Sequence, residues 1–340
     1  MMKNVIIDSF MHTPYFKYVY GDEIDYITCT IPGHRWIQPY YDKIQFSQIY
    51  GYTPECYILD RKRIRDEKRE YNNLFITYPL VDLIPDRHPN FYEEYGEYLK
   101  EIVDFFKPMI KGKIIIIDNH DLPLMVYDIL KELEVPYDII LKKEYNNLAL
   151  KKYKDNTCPF PYAVLGMNDC MFILNNKQRT GAVSNEKCFW SGSINSSNEE
   201  RYLLSYDRGK YLSECSDIIY SYPYNGSPTY GNEEYLNAMS DFKFSLYLKG
   251  YATLTRRFFE ILSTNSLMLM EKHDVVLPFE TKHYIPEACQ FSTPAELRLK
   301  HDKLLANPSL YKACLEKQIK LRECFTYEYI HDYIENILKK

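Results

Sequence analysis

A run of four consecutive isoleucines, Ile114 to Ile117, is the strongest constraint on how this chain folds. A continuous run of β-branched apolar residues predicts a strand buried on both faces, as in a parallel sheet that is covered by helices on each side. Similar short runs alternate with helical stretches, beginning at residues 4–7 and 74–78 and continuing through 137–143. This alternation predicts an α/β fold with parallel sheets.

The alternation also predicts how the chain divides. It stops over residues 144–185, which we interpret as containing a linker, and it restarts with a strand at 187–192. Because 340 residues suit two domains of ordinary size, we predict domains at 1–175 and 186–322. In the last segment, 323–340, apolar residues recur at helical spacing and predict an amphipathic helix, which we expect to pack back on the first domain; they are Ile330, Tyr333, Ile334, Ile337 and Leu338.

Composition and missing motifs argue against several classes of protein. The net charge of −5 gives no support to nucleic-acid binding, and nine cysteines without a C-x-x-C pair indicate neither a disulfide framework nor a zinc site. Glycine is scarce, with 12 residues, and the dinucleotide, P-loop, G-x-S-x-G and H-E-x-x-H motifs are absent. The sequence has neither a membrane-length apolar run nor a secretory signal. We therefore expect a cytoplasmic protein with no membrane span and no nucleic-acid partner.

The segment KGYATLTRRFFE at 249–260 carries the most informative polar residues. It follows a predicted buried strand and opens a predicted helix over about 255–264, with Arg257 near its start. Ligands bind beyond the carboxyl ends of strands in open parallel sheets, and an arginine at a helix N-terminus suits a phosphate or diphosphate. Glu260, one turn later, can accept hydrogen bonds from ribose hydroxyls, so the two side chains together indicate a nucleotide site. The alternative is an ordinary ion pair on the helix surface.

Residues 242–279 resemble the donor-binding segment of exostosin-like glycosyltransferases and of the protein O-glucosyl/O-xylosyltransferase family. The shared pattern is a K-F/Y strand, a glycine, a Ser/Thr, an arginine, an acidic residue, a small-residue turn and a hydrophobic strand. The tetrapeptide HYIP at 283–286 is similar to the H-Y-V-P element of the second family, and FWSGS at 189–193 resembles the first strand and glycine turn of a GT-B donor domain. The resemblance implies a GT-B glycosyltransferase, with two Rossmann-like domains that face each other across a cleft. It further implies that the first domain binds the acceptor and the second the nucleotide sugar.

The resemblance also implies a set of donor-binding residues. Arg257 would bind the diphosphate and Glu260 the ribose, with a UDP-sugar favoured over a GDP-sugar and no other cofactor. Gly192 and Ser193 would allow the backbone to approach the phosphates, and Lys249 and Arg201 would add positive charge. Four further residues would line the donor loop: Gly250, Tyr251, Thr253 and Thr255. Thr255 stands where the families commonly have Ser, and Leu248-Lys249 stands where the exostosin pattern often shows Pro-Arg. These departures leave open which sugar is used.

The reaction mechanism is predicted from an absent motif and from the resemblance. No D-x-D triplet occurs, so we predict donor binding without a metal. The families named above are inverting, which implies a general base on the first domain. Candidates follow two predicted strands: Asp118, His120 and Asp121 after the isoleucine strand, and Asp8 and His12 after the first strand. The Asp118 loop is favoured because two carboxylates and an imidazole leave one strand end together; the alternative for Asp118 is to cap the next helix.

Aromatic residues and the overall pattern complete the prediction. The loop at 220–231 contains four tyrosines whose rings could stack on sugars: Tyr220, Tyr222, Tyr224 and Tyr230. The alternative is that they reflect aromatic packing and the high tyrosine content of the chain, which has 34. We predict an inverting, metal-independent hexosyl- or pentosyltransferase in glycan biosynthesis, acting on an oligosaccharide or glycoprotein acceptor. Two other functions stay open, namely a sugar-nucleotide epimerase or hydrolase on the same fold and a non-catalytic carbohydrate-binding protein.

Overall fold

The chain divides into two compact units. In the computed structural model, the first unit comprises Met1–Tyr162, Val275–Pro278 and His331–Lys340, and the second comprises Ala163–Asp274 and Phe279–Ile330. The structure describes the following residues: 2–8, 16, 19–28, 57–58, 61–78, 91–118, 130–132, 134–143, 145, 151, 156–160, 185–192, 194, 208–222, 233–249, 255–274, 276–277 and 285–340.

The first unit contains a seven-stranded parallel sheet. Its strands are β1 (Asn4–Asp8), β2 (Ile24–Thr28), β3 (Tyr57–Ile58), β4 (Leu74–Tyr78), β5 (Ile114–Asp118), β6 (Ile139–Lys142) and β7 (Thr157–Pro159). They are ordered β3-β2-β1-β4-β5-β6-β7, and every pairing is parallel. All five residues of β5 are buried, which confirms the strand predicted from the isoleucine run. The direction of winding reverses between β1 and β4, so this is a doubly wound sheet.

Strand β7 lies within the stretch that we interpreted as containing a linker, so that interpretation is wrong for residues 157–159. The strand has three residues and pairs with β6 alone, at the edge of the sheet. Such a short strand has no periodicity to detect, and its terminal Pro159 is tolerated because an edge strand needs fewer backbone donors.

The first unit has two described α-helices, α1 (Arg61–Asp66) and α2 (Phe91–Phe106). The sequence FYEEYGEYLKEIVDFFK predicts a helix over about 91–107, and α2 confirms it. In α2 the residues that recur at three- and four-residue intervals are buried in the core, whereas Glu101 and Asp104 are exposed; the buried ones are Leu99, Ile102, Val103 and Phe106. Short 3-10 turns lie at Gly21–Glu23 and Lys107–Met109.

The second unit contains a five-stranded parallel sheet. Its strands are β8 (Asn185–Trp190), β9 (Ile219–Ser221), β10 (Phe242–Tyr247), β11 (Leu267–Glu271) and β12 (Gln290–Phe291). Their order is β12-β11-β10-β8-β9, again with parallel pairings throughout. The chain winds outward from β8 to β9 on one side and to β10 on the other. The carboxyl ends of β8 and β10 are therefore neighbours at a topological switch point.

The second unit contains a helical stretch at 208–214, α3 (Glu233–Ser240), α4 (Arg256–Leu262), the 3-10 turn Glu287–Cys289, α5 (Pro294–Ala306) and α6 (Pro308–Glu323). Of these, α3 and α4 lie where the sequence patterns predict helices, at 232–240 and about 255–264. The helix predicted at about 198–212 falls within the described residues only from 208 onward, and α6 was not predicted. The sequence Thr293-Pro294-Ala295-Glu296 is a capping box with proline at the first helical position, which predicts a helix start. The structure confirms it at the start of α5, where the backbone N–H of Glu296 donates to Thr293 Oγ1 at 3.1 Å.

The final helix, α7 (Tyr327–Leu338), is the amphipathic helix that the sequence predicts. Ile330, Ile334 and Ile337 are buried on one face. Within the first unit, the Tyr333 hydroxyl donates to the carbonyl of Pro159 at 2.6 Å, which ties the helix to the end of β7. None of the helices in the described ranges combines the length and apolar character required to cross a bilayer.

Candidate functional site

The switch point of the second sheet brings together the two segments that carry the resemblance. Phe189 in β8 pairs with Ser245 in β10, so residues 191–192 and residues 248–249 leave neighbouring strand ends. This adjacency is not visible in the sequence, where about 55 residues separate the two segments. Of the sequence-predicted donor residues, Gly192, Lys249, Thr255, Arg257 and Glu260 are described here. Ser193, Arg201, Gly250, Tyr251 and Thr253 lie outside the described residues.

The end of β8 is closely packed. A Cβ atom on Gly192 would lie 3.1 Å from the indole ring of Trp190, so a larger residue here requires that ring to move. The adjacent Ser191 is buried, and its hydroxyl has no hydrogen-bond partner among the described residues. A buried hydroxyl without a partner is uncommon, and at a strand end it is suited to contact a ligand. Ser191 was not predicted as a site residue, because a serine before a glycine has no distinguishing pattern in the sequence.

Thr255 connects the donor loop to helix α4. Its backbone is extended, and it immediately precedes the helix without a side-chain capping bond. Instead the backbone N–H of Thr255 donates to the Tyr247 hydroxyl at 2.8 Å, and the two hydroxyl oxygens lie 3.3 Å apart. Tyr247 is the last residue of β10, so the strand end itself fixes where the helix begins.

Arg257 and Glu260 form an ion pair on α4. Nη1 of Arg257 lies 3.3 Å from Oε2 of Glu260. The side chain of Glu260 is only 1% exposed and that of Arg257 is 16% exposed. The alternative interpretation, an ordinary pair on the helix surface, is therefore wrong: these charges lie where water is largely excluded and where electrostatic interactions are stronger.

A tyrosine from another helix completes this pair. The guanidinium carbon of Arg257 lies 4.9 Å from the ring centroid of Tyr235, and the Tyr235 hydroxyl lies 3.5 Å from Oε2 of Glu260. Tyr235 belongs to α3, which precedes β10, so the contact joins residues on two helices. One buried aromatic ring thus touches both members of the ion pair.

Lys249 is held through its backbone at the end of β10. Its N–H donates to Oε2 of Glu271 at 2.9 Å, and its carbonyl accepts from Nε of Arg208 at 2.8 Å. The Lys249 charge is also felt at His273, whose pKa is lowered to about 4, chiefly because burial disfavours the imidazolium and further because Lys249 repels it. At neutral pH His273 is therefore an uncharged group near the strand ends.

His273 makes the folded protein sensitive to mild acid. Its folded pKa, about 4, lies below the unfolded value of roughly 6.5, so between these values the unfolded chain binds the extra proton. Stability should therefore fall as pH drops from about 6.5 to 4. We expect His273→Gln to flatten the pH dependence of the melting temperature across this window. His331→Gln, a histidine substitution on α7, is the control, and an unchanged slope in His273→Gln would contradict the assignment.

In the first unit, the favoured base candidate Asp118 lies in a buried ion pair. Asp118 ends β5 and is in register with Lys142 of β6. Its Oδ2 lies 2.8 Å from the Lys142 ammonium nitrogen, and both side chains are fully buried. This contact gives Asp118 a structural role that the sequence did not indicate. His120, Asp121, His12 and the side chain of Asp8 lie outside the described residues, so the choice of base stays a prediction.

The backbone of Asp8 occupies a different place in the same sheet. Asp8 ends β1, whose neighbour on one side is β2 and on the other β4. The switch point of the first sheet lies between β1 and β4, whereas β5 is one strand farther along. By the rule that ligands bind at switch points, the carboxyl end of β1 is better placed for a ligand than the carboxyl end of β5.

Two of the predicted sugar-stacking tyrosines belong to an aromatic cluster. Tyr222 packs 5.4 Å from Phe189 and 5.6 Å from Tyr235, and Tyr220 packs 5.0 Å from Phe242 while remaining 40% exposed. Packing accounts for Tyr222, whereas Tyr220 retains exposed ring surface. Tyr224 and Tyr230 lie outside the described residues. Among the residues described, no three His, Cys, Asp or Glu side chains are grouped so that they could hold a metal ion.

Comparison with known proteins identifies the fold. No protein-family model matches the chain, and no curated protein matches its sequence. Solved structures do match over nearly the whole length. One is the E. coli trehalose-6-phosphate protein bound with UDP-2-fluoro glucose, with a TM-score of 0.56, 8% identity and 99% of each chain covered.

Two further structures agree with this match. Anabaena HepE in complex with UDP has a TM-score of 0.51 and 8% identity, with 99% of this chain and 100% of that chain covered. The T4 phage β-glucosyltransferase has a TM-score of 0.50 and 13% identity, with both chains fully covered. At such low identity the likeness establishes architecture only: the chain has the α/β fold of the GT-B class, with two parallel sheets and flanking helices.

Proposed function

We propose that this protein is a glycosyltransferase that takes its sugar from a UDP-sugar bound to the second domain. The observation that carries the proposal is the buried Arg257–Glu260 pair on the helix that follows β10, beside the topological switch point. A guanidinium there suits a diphosphate, and a carboxylate one turn later suits ribose hydroxyls. UDP in the Anabaena structure and UDP-2-fluoro glucose in the E. coli structure, both of the same fold, support UDP as the nucleotide.

The guanidinium of Arg257, rather than the helix dipole, is proposed as the main diphosphate contact. Helix α4 has seven residues, so its macrodipole is small. Arg257 carries a full charge, and its Nη1 lies within ion-pair distance of Glu260 without forming a hydrogen bond to any described residue. Gly192 and Thr255 line the same strand ends, and the resemblance adds Ser193, Arg201, Lys249, Gly250, Tyr251 and Thr253 to the proposed site.

The proposed reaction is an inverting displacement without a metal ion. An acceptor hydroxyl attacks the anomeric carbon while the bond to the β-phosphate oxygen breaks, and UDP departs with the electron pair. Negative charge grows on the departing phosphate, where Arg257 stabilises it. Metal independence rests on the absence of a D-x-D triplet.

A general base of the first domain takes the acceptor proton in this proposal. We place the base on the loop that follows Asp8, because Asp8 ends a strand at the switch point whereas Asp118 forms a buried ion pair with Lys142. His12 lies on the same loop. The acceptor is proposed to be a glycan or a glycosylated protein.

Replacing Arg257 with alanine should weaken UDP binding about 10- to 150-fold. This range corresponds to the roughly 1.5–3 kcal/mol of a hydrogen bond to a charged group. Arg257→Lys should recover only part of the affinity, because an ammonium group cannot reproduce the planar fork of a guanidinium. Calorimetric titration of the whole chain with UDP measures both effects.

Arg298→Ala is the matched control for charge. Arg298 forms an ion pair with Asp217 at 2.6 Å. Asp217 lies two residues before β9 begins, at the amino ends of the strands, whereas the proposed donor site lies at their carboxyl ends. Loss of Arg298 should leave UDP affinity unchanged. Equal binding by wild type and Arg257→Ala would move the diphosphate site elsewhere, and wild type that binds no UDP would remove the donor assignment altogether.

Assays of turnover separate the remaining functions. Sugar transfer to a glycan that continues in the presence of EDTA supports the full proposal. Transfer to duplex DNA and not to a glycan would contradict the proposed glycan acceptor. Conversion of the UDP-sugar without acceptor at turnover rates would favour an epimerase or hydrolase. Saturable sugar binding without any nucleotide effect would indicate a carbohydrate-binding protein.

A further inference from the structure

Tyr235 is a buried tyrosine that was not predicted from the sequence to belong to the donor site. It lies on α3 and is 1% exposed. Its ring is fixed from behind by two other aromatic rings, Phe189 of β8 at 5.6 Å and Tyr222 at 5.6 Å. These contacts anchor the ring to the first strand of the second sheet, so its position is set by the sheet and not by α4.

One face of this ring and its hydroxyl contact the two charged residues of the proposed donor site. The guanidinium of Arg257 sits over its face, 4.9 Å from the centroid, and its hydroxyl donates toward Oε2 of Glu260 at 3.5 Å. An aromatic face attracts a cation without using any of its N–H groups. The ring therefore holds the plane of the guanidinium without itself occupying any of the N–H groups of Arg257.

We propose that Tyr235 is a positioning residue for the nucleotide donor, a role that rests on the proposed function. The ring orients Arg257 before UDP arrives, so less side-chain entropy is lost when the diphosphate binds. The hydroxyl donates toward the same Oε2 of Glu260 that lies near Arg257, and so helps to fix the orientation of that carboxylate. Tyr235 itself does not touch the reacting atoms.

Calorimetric titration with UDP of variants at position 235 tests this role. Tyr235→Leu removes the aromatic face and should raise the Kd of UDP by about 2- to 30-fold, the range of a cation–π contact. Tyr235→Phe keeps the face and should restore most of the affinity. In an Arg257→Ala background, Tyr235→Leu should raise Kd by a smaller factor, because the arginine that the ring orients is gone and only the contact with Glu260 is left to lose.

Tyr311→Leu is the matched control. Tyr311 is another tyrosine of this unit, with its ring 5.6 Å from Phe244 and its hydroxyl donating to the Lys243 carbonyl at the amino end of β10. Its replacement should leave UDP affinity unchanged even where it lowers the melting temperature. A loss of affinity that is equal in both leucine variants would reveal a general packing effect and overturn the proposal.

A fluorinated series keeps the test decisive if Tyr235→Leu does not fold. Phenylalanine, 4-fluorophenylalanine and 3,4,5-trifluorophenylalanine at position 235 preserve the ring but progressively weaken its negative face. The Kd of UDP should rise along the series, and a constant Kd would overturn the role of Tyr235. If the wild type binds UDP and every Tyr235 variant has the same Kd, the role of Tyr235 alone is refuted. If the wild type binds no UDP, the proposed function and this role are refuted together.

Discussion

Asp118→Asn is expected to lower the free energy of unfolding by about 3–5 kcal/mol, because it leaves the Lys142 ammonium buried without its counter-charge. Both side chains are fully buried and 2.8 Å apart, so water cannot replace the missing carboxylate. Thermal and urea unfolding of the whole chain measure the loss. Lys142→Met should destabilise by a similar amount, since it removes the positive charge that lies beside the buried Asp118 carboxylate.

A double variant distinguishes the ion pair from a catalytic role. Asp118→Leu combined with Lys142→Met replaces both charges with apolar groups of similar volume and should recover most of the stability that either single change loses. A structural pair also predicts that turnover per folded molecule survives in Asp118→Asn. Unchanged melting together with a loss of turnover on the order of 100-fold or more would instead make Asp118 the base.

Asp8→Asn is expected to lower kcat by about 10²- to 10⁴-fold, the usual contribution of a general base. The substitution preserves the shape of the side chain but removes its ability to accept a proton. UDP affinity without acceptor should stay near the wild-type value, because the donor is proposed to bind the second domain. Steady-state kinetics with saturating donor, together with titration by UDP, measure the two quantities.

Asp118→Asn provides the comparison for this experiment, since it changes the same functional group at the end of another strand of the sheet. The two variants should separate cleanly, one losing turnover and the other stability. Normal turnover in Asp8→Asn and in His12→Gln would exclude this loop. The base would then be sought on the segment after β4, residues 79–90, which leaves the other strand at the switch point.

Strands and helices were largely predictable because local patterns specify them. The isoleucine run predicted β5, the spacing of apolar residues predicted α2 and α7, and the capping box predicted the start of α5. Strands β3, β7 and β12, with two, three and two residues, were missed. Their place depends on pairing with a neighbour, and so few residues show no alternation.

The donor pair was predictable for the same local reason. Arg257 and Glu260 are three residues apart on one helix, and any helix brings such residues together. Their burial was not predictable, since it depends on what packs against α4. The contact with Tyr235 joins residues 22 and 25 positions apart, and the Asp118–Lys142 pair joins neighbouring strands.

By itself, the sequence determined the α/β class, most element boundaries and the residues that carry charge near the proposed donor site, because these depend on interactions within a few residues of chain. Only the tertiary structure decided which strand ends are neighbours, that Asp118 faces Lys142, and that a tyrosine supports Arg257. The physical reason is that parallel pairing joins distant segments through hydrogen bonds between backbones. The register of those pairs, which short-range patterns do not encode, then sets the surroundings of every buried charge.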